Sequence, residues 1–395
     1  MEQFRKLGIS EPILKAIAEQ RFEKPSKIQE KSIPLIIAGK DVVACSATGS
    51  GKTLAFGSAI IQNSERGKGI QSLVLTPTRE LAEQNAKEMI KFSRYNLLRV
   101  CTVYGGVSIN RQIDELRRAE VVVGTPGRIL DHIGRGTINL KNVKILVLDE
   151  ADRMFDMGFI DDVREIISQC PKNRQTLLFS ATISDDVLNI AKKYMKDYSK
   201  VSAEVYVDPK NLAQVYYDVM DNLKFSLLVH LLRQEHAGLV MVFCNTRKST
   251  DFVARNLKKN GIDATATHGG FSQSKRSNVM KQFHSKNVYV LVCTDVAARG
   301  LDIKGVSHVY NYDIPKESKQ YIHRIGRTAR AGKDGKAISL LSSRDHDNFS
   351  RVLRDNAIEV KKEETPYVER VIISDRPKHF GHRQHFGRRD WSKRR

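Results

Sequence analysis

A chain of 395 residues is long enough for two domains of ordinary size, each able to bury its own core. With 41% hydrophobic and 28% charged residues, and no apolar run near the roughly 20 residues that span a bilayer, the composition reads as globular and excludes a membrane-spanning chain. Lys and Arg outnumber Asp and Glu by 66 to 45, giving a formal charge of +21 and a pI near 9.7, so a polyanion is the natural partner through phosphate neutralisation.

The N-terminus, MEQFRKLGIS, has neither an apolar h-region nor a small-residue cleavage site, so a cytosolic chain is expected, or one at the nucleoid in a prokaryote. Cys45, Cys101, Cys170, Cys244 and Cys293 are odd in number, scattered and never in a C-x-x-C pair. Reduced thiols and no structural zinc are expected.

Short apolar, β-branched runs alternate with amphipathic stretches of helical period, the pattern of an α/β fold with parallel sheets flanked by helices. In the first half the runs are Val42–Ala44, Leu73–Leu75, Val121–Val123, Ile145–Leu148 and Thr176–Phe179. After the polar stretch Val205 to Asn211 the pattern restarts with Leu239–Phe243, Val288–Val292, His308–Tyr312 and Ala337–Leu341, so two α/β domains are expected to meet near Asp208-Pro209. From Arg376 to Arg395 the periodicity is lost. That segment carries eight Lys/Arg against one acid, with Phe380, Phe386 and Trp391 interleaved, and is expected to be disordered alone.

The polar signatures fall directly after predicted strands, where open parallel sheets bind ligands. After Val42–Ala44 comes Ser46-Ala47-Thr48-Gly49-Ser50-Gly51-Lys52-Thr53. Its glycines let backbone N–H groups close around phosphate, Lys52 reaches the β/γ oxygens, and Thr53 offers its hydroxyl to Mg²⁺. Asp149-Glu150-Ala151-Asp152 follows Ile145–Leu148; beside a phosphate loop, one carboxylate can hold hydrated Mg²⁺ while a neighbour orients and deprotonates water. A solvated acidic helix start is the structural alternative.

Three more strand ends carry Thr76-Pro77-Thr78-Arg79-Glu80, Thr125-Pro126-Gly127-Arg128 and Ser180-Ala181-Thr182. In the first two, Thr76 and Thr125 are placed as N-caps, with Pro at the first helical position and Arg in the first turn, which builds an anion site. Beside Gly105-Gly106 they suggest a track for successive phosphates. In the second half, His323-Arg324-Ile325-Gly326-Arg327-Thr328-Ala329-Arg330 spaces His323, Arg327 and Arg330 four and three apart, one face of a helix. Two guanidiniums aimed at a γ-phosphate across a domain cleft would act as arginine fingers; a solvated surface is the bland reading.

With these motifs in this order, the chain resembles the DEAD-box RNA helicases of superfamily 2, from about Phe4 to about residue 365. Phe22-Glu23-Lys24-Pro25-Ser26-Lys27-Ile28-Gln29 is similar to the family's adenine-reading motif, with Phe4 as the isolated upstream aromatic; Arg21 and Lys27 replace the Gly and Pro often found there. The resemblance implies two tandem RecA-like domains, each a mostly parallel sheet flanked by helices. Their extents are 1–204 for ATP binding and 212–365 for the second domain, with a linker at 205–211 and a basic tail at 366–395. It implies an RNA-dependent ATPase using ATP and Mg²⁺, monomeric, acting on single strands and short duplexes through the backbone and on ribonucleoprotein particles.

Carried over by position, Phe22 stacks on adenine, Gln29 pairs with its edge, and Lys24 lies in the same motif. Residues 47–53 cradle phosphate, with Lys52 and Thr53 as above. Asp149 holds Mg²⁺ through water and Glu150 is the general base. Asp152, Ser180, Thr182 and His323 couple the domains. Gly300 and Asp302 lie by the nucleotide, and Arg327 and Arg330 are the fingers. Pro77, Thr78, Arg79, Gly105, Gly106, Thr125, Pro126, Gly127 and Arg128 face RNA from the first domain, and Thr246, Gln273, Arg276 and Thr294 from the second. An ATP-gated RNA clamp shares all of these motifs. A DNA translocase is disfavoured by the Gln29 motif and the DEAD tetrad. For the tail, sequence-tolerant RNA affinity through charge and stacking is expected.

Overall fold

The computed structural model describes residues 1–46, 49–203, 212–234, 238–298, 305–328, 335–356 and 358–373; the side chains of Gln273, Lys319 and Asn356 fall outside that description. The expected linker over 205–211 and the basic segment 376–395 also lie outside the described residues.

The first sheet comprises β1 (Val42–Cys45), β2 (Ser72–Leu75), β3 (Val100–Val103), β4 (Val121–Gly124), β5 (Ile145–Asp149), β6 (Gln175–Ser180) and β7 (Ser199–Ser202), in the order β3-β4-β2-β5-β6-β1-β7. The second comprises β8 (Ala213–Asp218), β9 (Leu239–Phe243), β10 (Ala264–Thr267), β11 (Val290–Cys293), β12 (Val306–Asn311), β13 (Lys336–Leu341) and β14 (Lys361–Lys362), in the order β10-β11-β9-β12-β13-β8-β14. Counted from its own first strand, the second order repeats the first. All described pairings are parallel. Parallel neighbours need crossovers, and helices supply them: Lys52–Asn63 follows β1, Arg79–Phe92 follows β2, and Arg247–Lys259 follows β9.

Each sheet is buried on both faces. Val42, Ala44, Val74 and Val147 enter one core cluster while Val43, Leu73, Leu75, Leu146 and Leu148 enter the other, the alternation a strand imposes. Val240 and Val242 are separated from Met241 and Phe243 in the same way. That two-sided burial is why the interior strands read as continuous apolar runs. The strands that do not are β3, β7, β10 and β14 at sheet edges, and β8, whose outer neighbour is the two-residue β14. β7 is Ser-Lys-Val-Ser and β10 is Ala-Thr-Ala-Thr, because an edge exposed to water does not demand apolar side chains.

Beyond β14 the chain stays on the second domain. The Glu363 N–H donates to the Tyr216 carbonyl, Thr365 Oγ1 to the Asp218 carbonyl and the Val371 N–H to Ser226 Oγ, while Val368 is buried. Among the described residues, no helix is long and apolar enough to cross a membrane.

Candidate nucleotide site and the cleft between the domains

β6 lies between β1 and β5, so the loops after these three strands converge at their carboxyl ends. After β1, Gly49 (φ 81°) and Gly51 (φ 91°) take the left-handed backbone that turns the chain into the helix Lys52–Asn63. A Cβ on Gly51 would lie 2.3 Å from Gln29 Nε2. Gln29 comes from the helix Lys27–Ile37, where its Oε1 accepts from the Ser26 N–H (3.0 Å) in a capping box and its Nε2 donates to the Gly51 carbonyl (3.0 Å). Ser26 Oγ donates to the Ser50 carbonyl at 2.7 Å, so this motif is tied to the phosphate loop at two points. A carboxamide has two donors and two acceptor lone pairs, so one of each remains for a base edge.

Phe22 is exposed, with its ring 6.2 Å from that of Phe92, and Lys24 is exposed nearby. Phe4 is fully buried in the first-domain core, which makes it a packing residue in this structure. Arg21 keeps a left-handed φ of 57°, the backbone that a glycine adopts without strain.

Lys52 is buried, its Nζ donating to the Ser46 carbonyl at 3.3 Å. Thr53 Oγ1 donates to Asn85 Oδ1 (3.0 Å), and Asn85 Nδ2 donates to Asp149 Oδ2 (2.8 Å). Asp149 Oδ1 is buried without a hydrogen-bond partner of good geometry, the neighbouring Glu150 N–H offering only a marginal contact. Burial pushes the Asp149 carboxyl above the ordinary carboxylate range and outweighs the opposing pull of Lys52. A buried, under-satisfied carboxylate oxygen beside a lysine and a threonine hydroxyl fits a hydrated divalent cation.

Glu150 stands at φ 53° and its Oε2 takes a 2.6 Å ion pair from Arg153 Nη1, both side chains nearly fully buried. Asp152, Ser180 and Thr182 form one network. Asp152 Oδ2 accepts from the Thr182 N–H (2.8 Å) and Oγ1 (2.9 Å), the Asp152 N–H donates to Ser180 Oγ (3.3 Å), and Ser180 Oγ donates to the Thr182 carbonyl (2.7 Å).

Pro77, Thr78, Arg79, Gly105, Thr125, Gly127 and Arg128 line one wall of a cleft of about 590 Å³, and Arg247, Phe271, Arg276 and Val296 line the other. Arg79 lies under Gly106, whose φ is 84° and where a Cβ would fall 2.1 Å from Arg79 Nη1. Arg128 Nη1 donates to Gln112 Oε1 and the Val107 carbonyl. Thr125 is the N-cap and Pro126 the first residue of the helix Pro126–Gly134, as expected. At the other strand end the expectation is off by two residues: Thr78 caps the helix Arg79–Phe92, accepting from the Leu81 N–H, while Thr76 is buried and donates to the Thr78 and Gly124 carbonyls. Two threonines flank Pro77, and only the second has the carbonyl that accepts the first helical bond, from the Ala82 N–H.

From the second domain, Arg276 Nη2 reaches Glu80 Oε1 at 2.9 Å, a charge contact joining the two walls. Thr246 caps the helix Arg247–Lys259 through the Ser249 N–H, and Thr294 is buried at the end of β11. Gln273 begins the helix Gln273–His284. His323 lies in the helix Ser318–Ile325, which ends with Gly326 as C-cap; Arg327 is therefore past the helix, in a turn where its N–H donates to the Arg324 carbonyl. The expected shared helical face is corrected accordingly, because the glycine stops the helix before its second cation. Ala47, Thr48, Gly300, Asp302 and Arg330 lie outside the described residues.

Residues to which the sequence assigns no role hold these elements together. Arg324 is fully buried and binds both Asp295 oxygens (2.7 Å each), Asn245 Oδ1 (2.8 Å) and the Asp313 carbonyl (2.6 Å). Asn85, Arg153 and Glu80 complete the set. The available signal is a polar residue on an apolar stripe: Asn85 sits among Leu81, Ala82, Ala86 and Met89, where an amide must have partners.

Residues 26–190 match the DEAD/DEAH box helicase family and residues 223–332 the helicase conserved C-terminal domain. The chain is 43% identical to the DEAD-box ATP-dependent RNA helicase CshA of Geobacillus kaustophilus, over 94% of this chain and 80% of that protein. It is 45% identical to a Methanocaldococcus jannaschii protein named "Probable ATP-dependent RNA helicase", over 91% of this chain and 97% of that one. Among solved structures, S. cerevisiae Dbp5 bound to RNA and ADP BeF3 superposes with a TM-score of 0.84 at 33% identity, covering 92% of this chain and 96% of that one. A DEAD box protein from Methanococcus jannaschii gives 0.56 at 44% identity, covering 91% and 99%. The chain belongs to the DEAD-box family of ATP-dependent RNA helicases.

Proposed function

We propose that the chain hydrolyses ATP at the carboxyl edge of its first sheet and uses the cycle to grip RNA, opening short duplexes locally or remodelling RNA–protein complexes. The observation that carries this reading is the buried Asp149 Oδ1 beside Lys52 and the phosphate loop. Thr53 and Asp149 would hold Mg²⁺, which would supply Lewis-acid stabilisation of the charge that develops on the transferred phosphate. Phe22 stacks the base and Gln29 reads its edge with the donor and acceptor left over from its cap. Lys52 and the loop N–H groups hold the phosphates. Glu150, oriented by its ion pair with Arg153, positions and deprotonates the attacking water.

Arg327 and Arg330 would complete the γ-phosphate site from the second domain, with Gly300 and Asp302 by the nucleotide and Asp152, Ser180, Thr182 and His323 relaying its state. RNA would lie along the cleft against Arg79 and Arg128 on one wall and Arg276 on the other, with Thr246, Gln273 and Thr294 as further contacts from the second domain. The high superposition on an RNA-bound relative of lower identity supports a closed arrangement of the domains. Closure is a population shift, bounded by how much better ATP and RNA bind the closed form.

The reading extends to an ATP-binding unit at 1–204, a linker at 205–211, a second unit at 212–365 on which the chain to Val371 remains packed, and an RNA-holding tail beyond it, in a cytoplasmic monomer whose targets include ribonucleoprotein particles such as ribosome precursors. The charge of +21 supports the RNA side of it. The test is Glu150→Gln. It should keep ATP-dependent RNA binding while turnover falls by about 10²- to 10⁴-fold; hydrolysis near the wild-type rate would overturn the assignment of the base.

A further inference from the structure

We propose that Asn85 is a positioning residue for the metal site, holding the Thr53 hydroxyl and the Asp149 carboxylate in the orientation that receives Mg²⁺. The inference rests on the reading of Thr53 and Asp149 as the metal-holding pair.

Asn85 is 1% exposed on the inward face of the helix Arg79–Phe92, and its amide is used at both ends, by Thr53 at 3.0 Å and Asp149 at 2.8 Å. The direction of the relay follows from chemistry. An ionised carboxylate only accepts, so the NH₂ must face Asp149 Oδ2, which leaves the amide oxygen facing Thr53. Thr53 must then donate. Its single proton is committed to Asn85, and its lone pairs turn outward toward the phosphate loop. On the carboxylate, Oδ2 is capped by a neutral donor, while Oδ1 lacks a well-formed partner. The relay therefore presents two oxygen acceptors together, the arrangement that a hydrated hard cation takes.

An apolar side chain at this position would release both groups. Thr53 could spend its proton on Asp149 directly, pointing hydrogen where the cation must approach, and Asp149 could rotate Oδ1 away. Partners in the outer shell of a metal typically govern its affinity by about 10- to 100-fold.

The experiment measures the affinity of fluorescent mant-ADP for the 395-residue chain in excess EDTA and in excess Mg²⁺, for wild type, Asn85→Leu and Asn85→Ala. Wild type should bind more tightly with Mg²⁺. In both variants the Mg²⁺-linked increment should shrink by about 10- to 100-fold while the affinity in EDTA is kept. The EDTA value is the internal control for folding, because base stacking and Lys52 act without metal, and Asn85→Ala covers the case in which leucine overpacks the site. The Mg²⁺ concentration for half-maximal ATPase should rise with the KM for RNA unchanged. Equal increments in wild type and variants would overturn the role of Asn85. No increment in wild type would instead overturn the metal reading of Thr53 and Asp149.

Discussion

The two sheets share one strand order, and in each the first strand leads into a helix that begins with a lysine: Lys52 after β1 and Lys224 after β8. Their surroundings differ. Lys52 Nζ meets a backbone carbonyl at 3.3 Å, behind a loop that Gly49 and Gly51 bend with positive φ. Lys224 Nζ is locked onto Asp345 Oδ2 at 2.6 Å and lies over the Tyr312 ring, after a loop, Val219 to Leu223, that has no glycine. Asp345 is held further by the Ser342 N–H (3.0 Å) and Oγ (2.8 Å). One architecture thus yields a lysine on a backbone carbonyl, to which the proposed function gives phosphate, and a lysine consumed by an internal ion pair. The fold supplies the place; the counter-ion decides whether it is a site.

The largest effects should separate these lysines. Lys52→Ala is expected to lower ATP turnover by about 10²- to 10³-fold with little change in folding. Lys224→Ala should leave turnover per folded molecule within a few-fold but cost about 3–5 kcal/mol of second-domain stability, read from urea midpoints, because it strands a buried carboxylate. Comparable ATPase losses in the two variants would erase the distinction.

The carboxylates sharpen it with opposite signs. Burial alone would push Asp345 up, but the Lys224 charge and hydrogen bond with the Ser342 donors hold it below the ordinary carboxylate range. A lowered folded pKa contributes stability that is present above the unfolded value of about 3.9 and lost as pH falls below it. Asp149 is raised, so its ionised form costs stability at neutral pH, a cost relieved as pH falls. Asp345→Asn should therefore lower the unfolding midpoint at pH 7 and Asp149→Asn should raise it, with the Asp149→Asn advantage narrowing as pH falls toward the unfolded value of about 3.9. A fall in both would break the contrast.

The smallest expected effect concerns a charge contact between the domains. Arg276→Ala removes a partly buried ion pair with Glu80 and should weaken ATP-dependent RNA binding by about 1 kcal/mol, roughly fivefold. The charge swap Glu80→Arg with Arg276→Glu should recover part of it, as measured by RNA titration with a non-hydrolysable nucleotide.

Legibility in the sequence follows from these same causes. Interior strands such as Val121–Gly124 announce themselves because both faces are buried, whereas Ala264–Thr267 at an edge carries no comparable pressure. The phosphate loop and the carboxylates after β5 are readable because backbone geometry demands glycine at fixed spacing and because charge at the end of an apolar run needs a reason. What escapes is pairing over distance. Asn85 with Asp149, Glu80 with Arg276 and Lys224 with Asp345 are each separated by more of the chain than any motif spans, and nothing local marks Asn85 except its place on an apolar stripe. The turn at Gly326 could have been anticipated, since a glycine after Ile325 is an ordinary helix stop.

The position of β1 also bears on the order in which the protein can be made. Its only sheet neighbours are β6 and β7, the last two strands of that sheet, and β8 likewise waits for β13 and β14. During synthesis the strand that carries the phosphate loop therefore emerges early and stays unpaired until nearly the whole domain has followed it. Such closure is slow and leaves apolar strand surface open to other contacts meanwhile. A nascent chain halted before β6 should have no nucleotide affinity, even though every residue of the phosphate loop has already been translated.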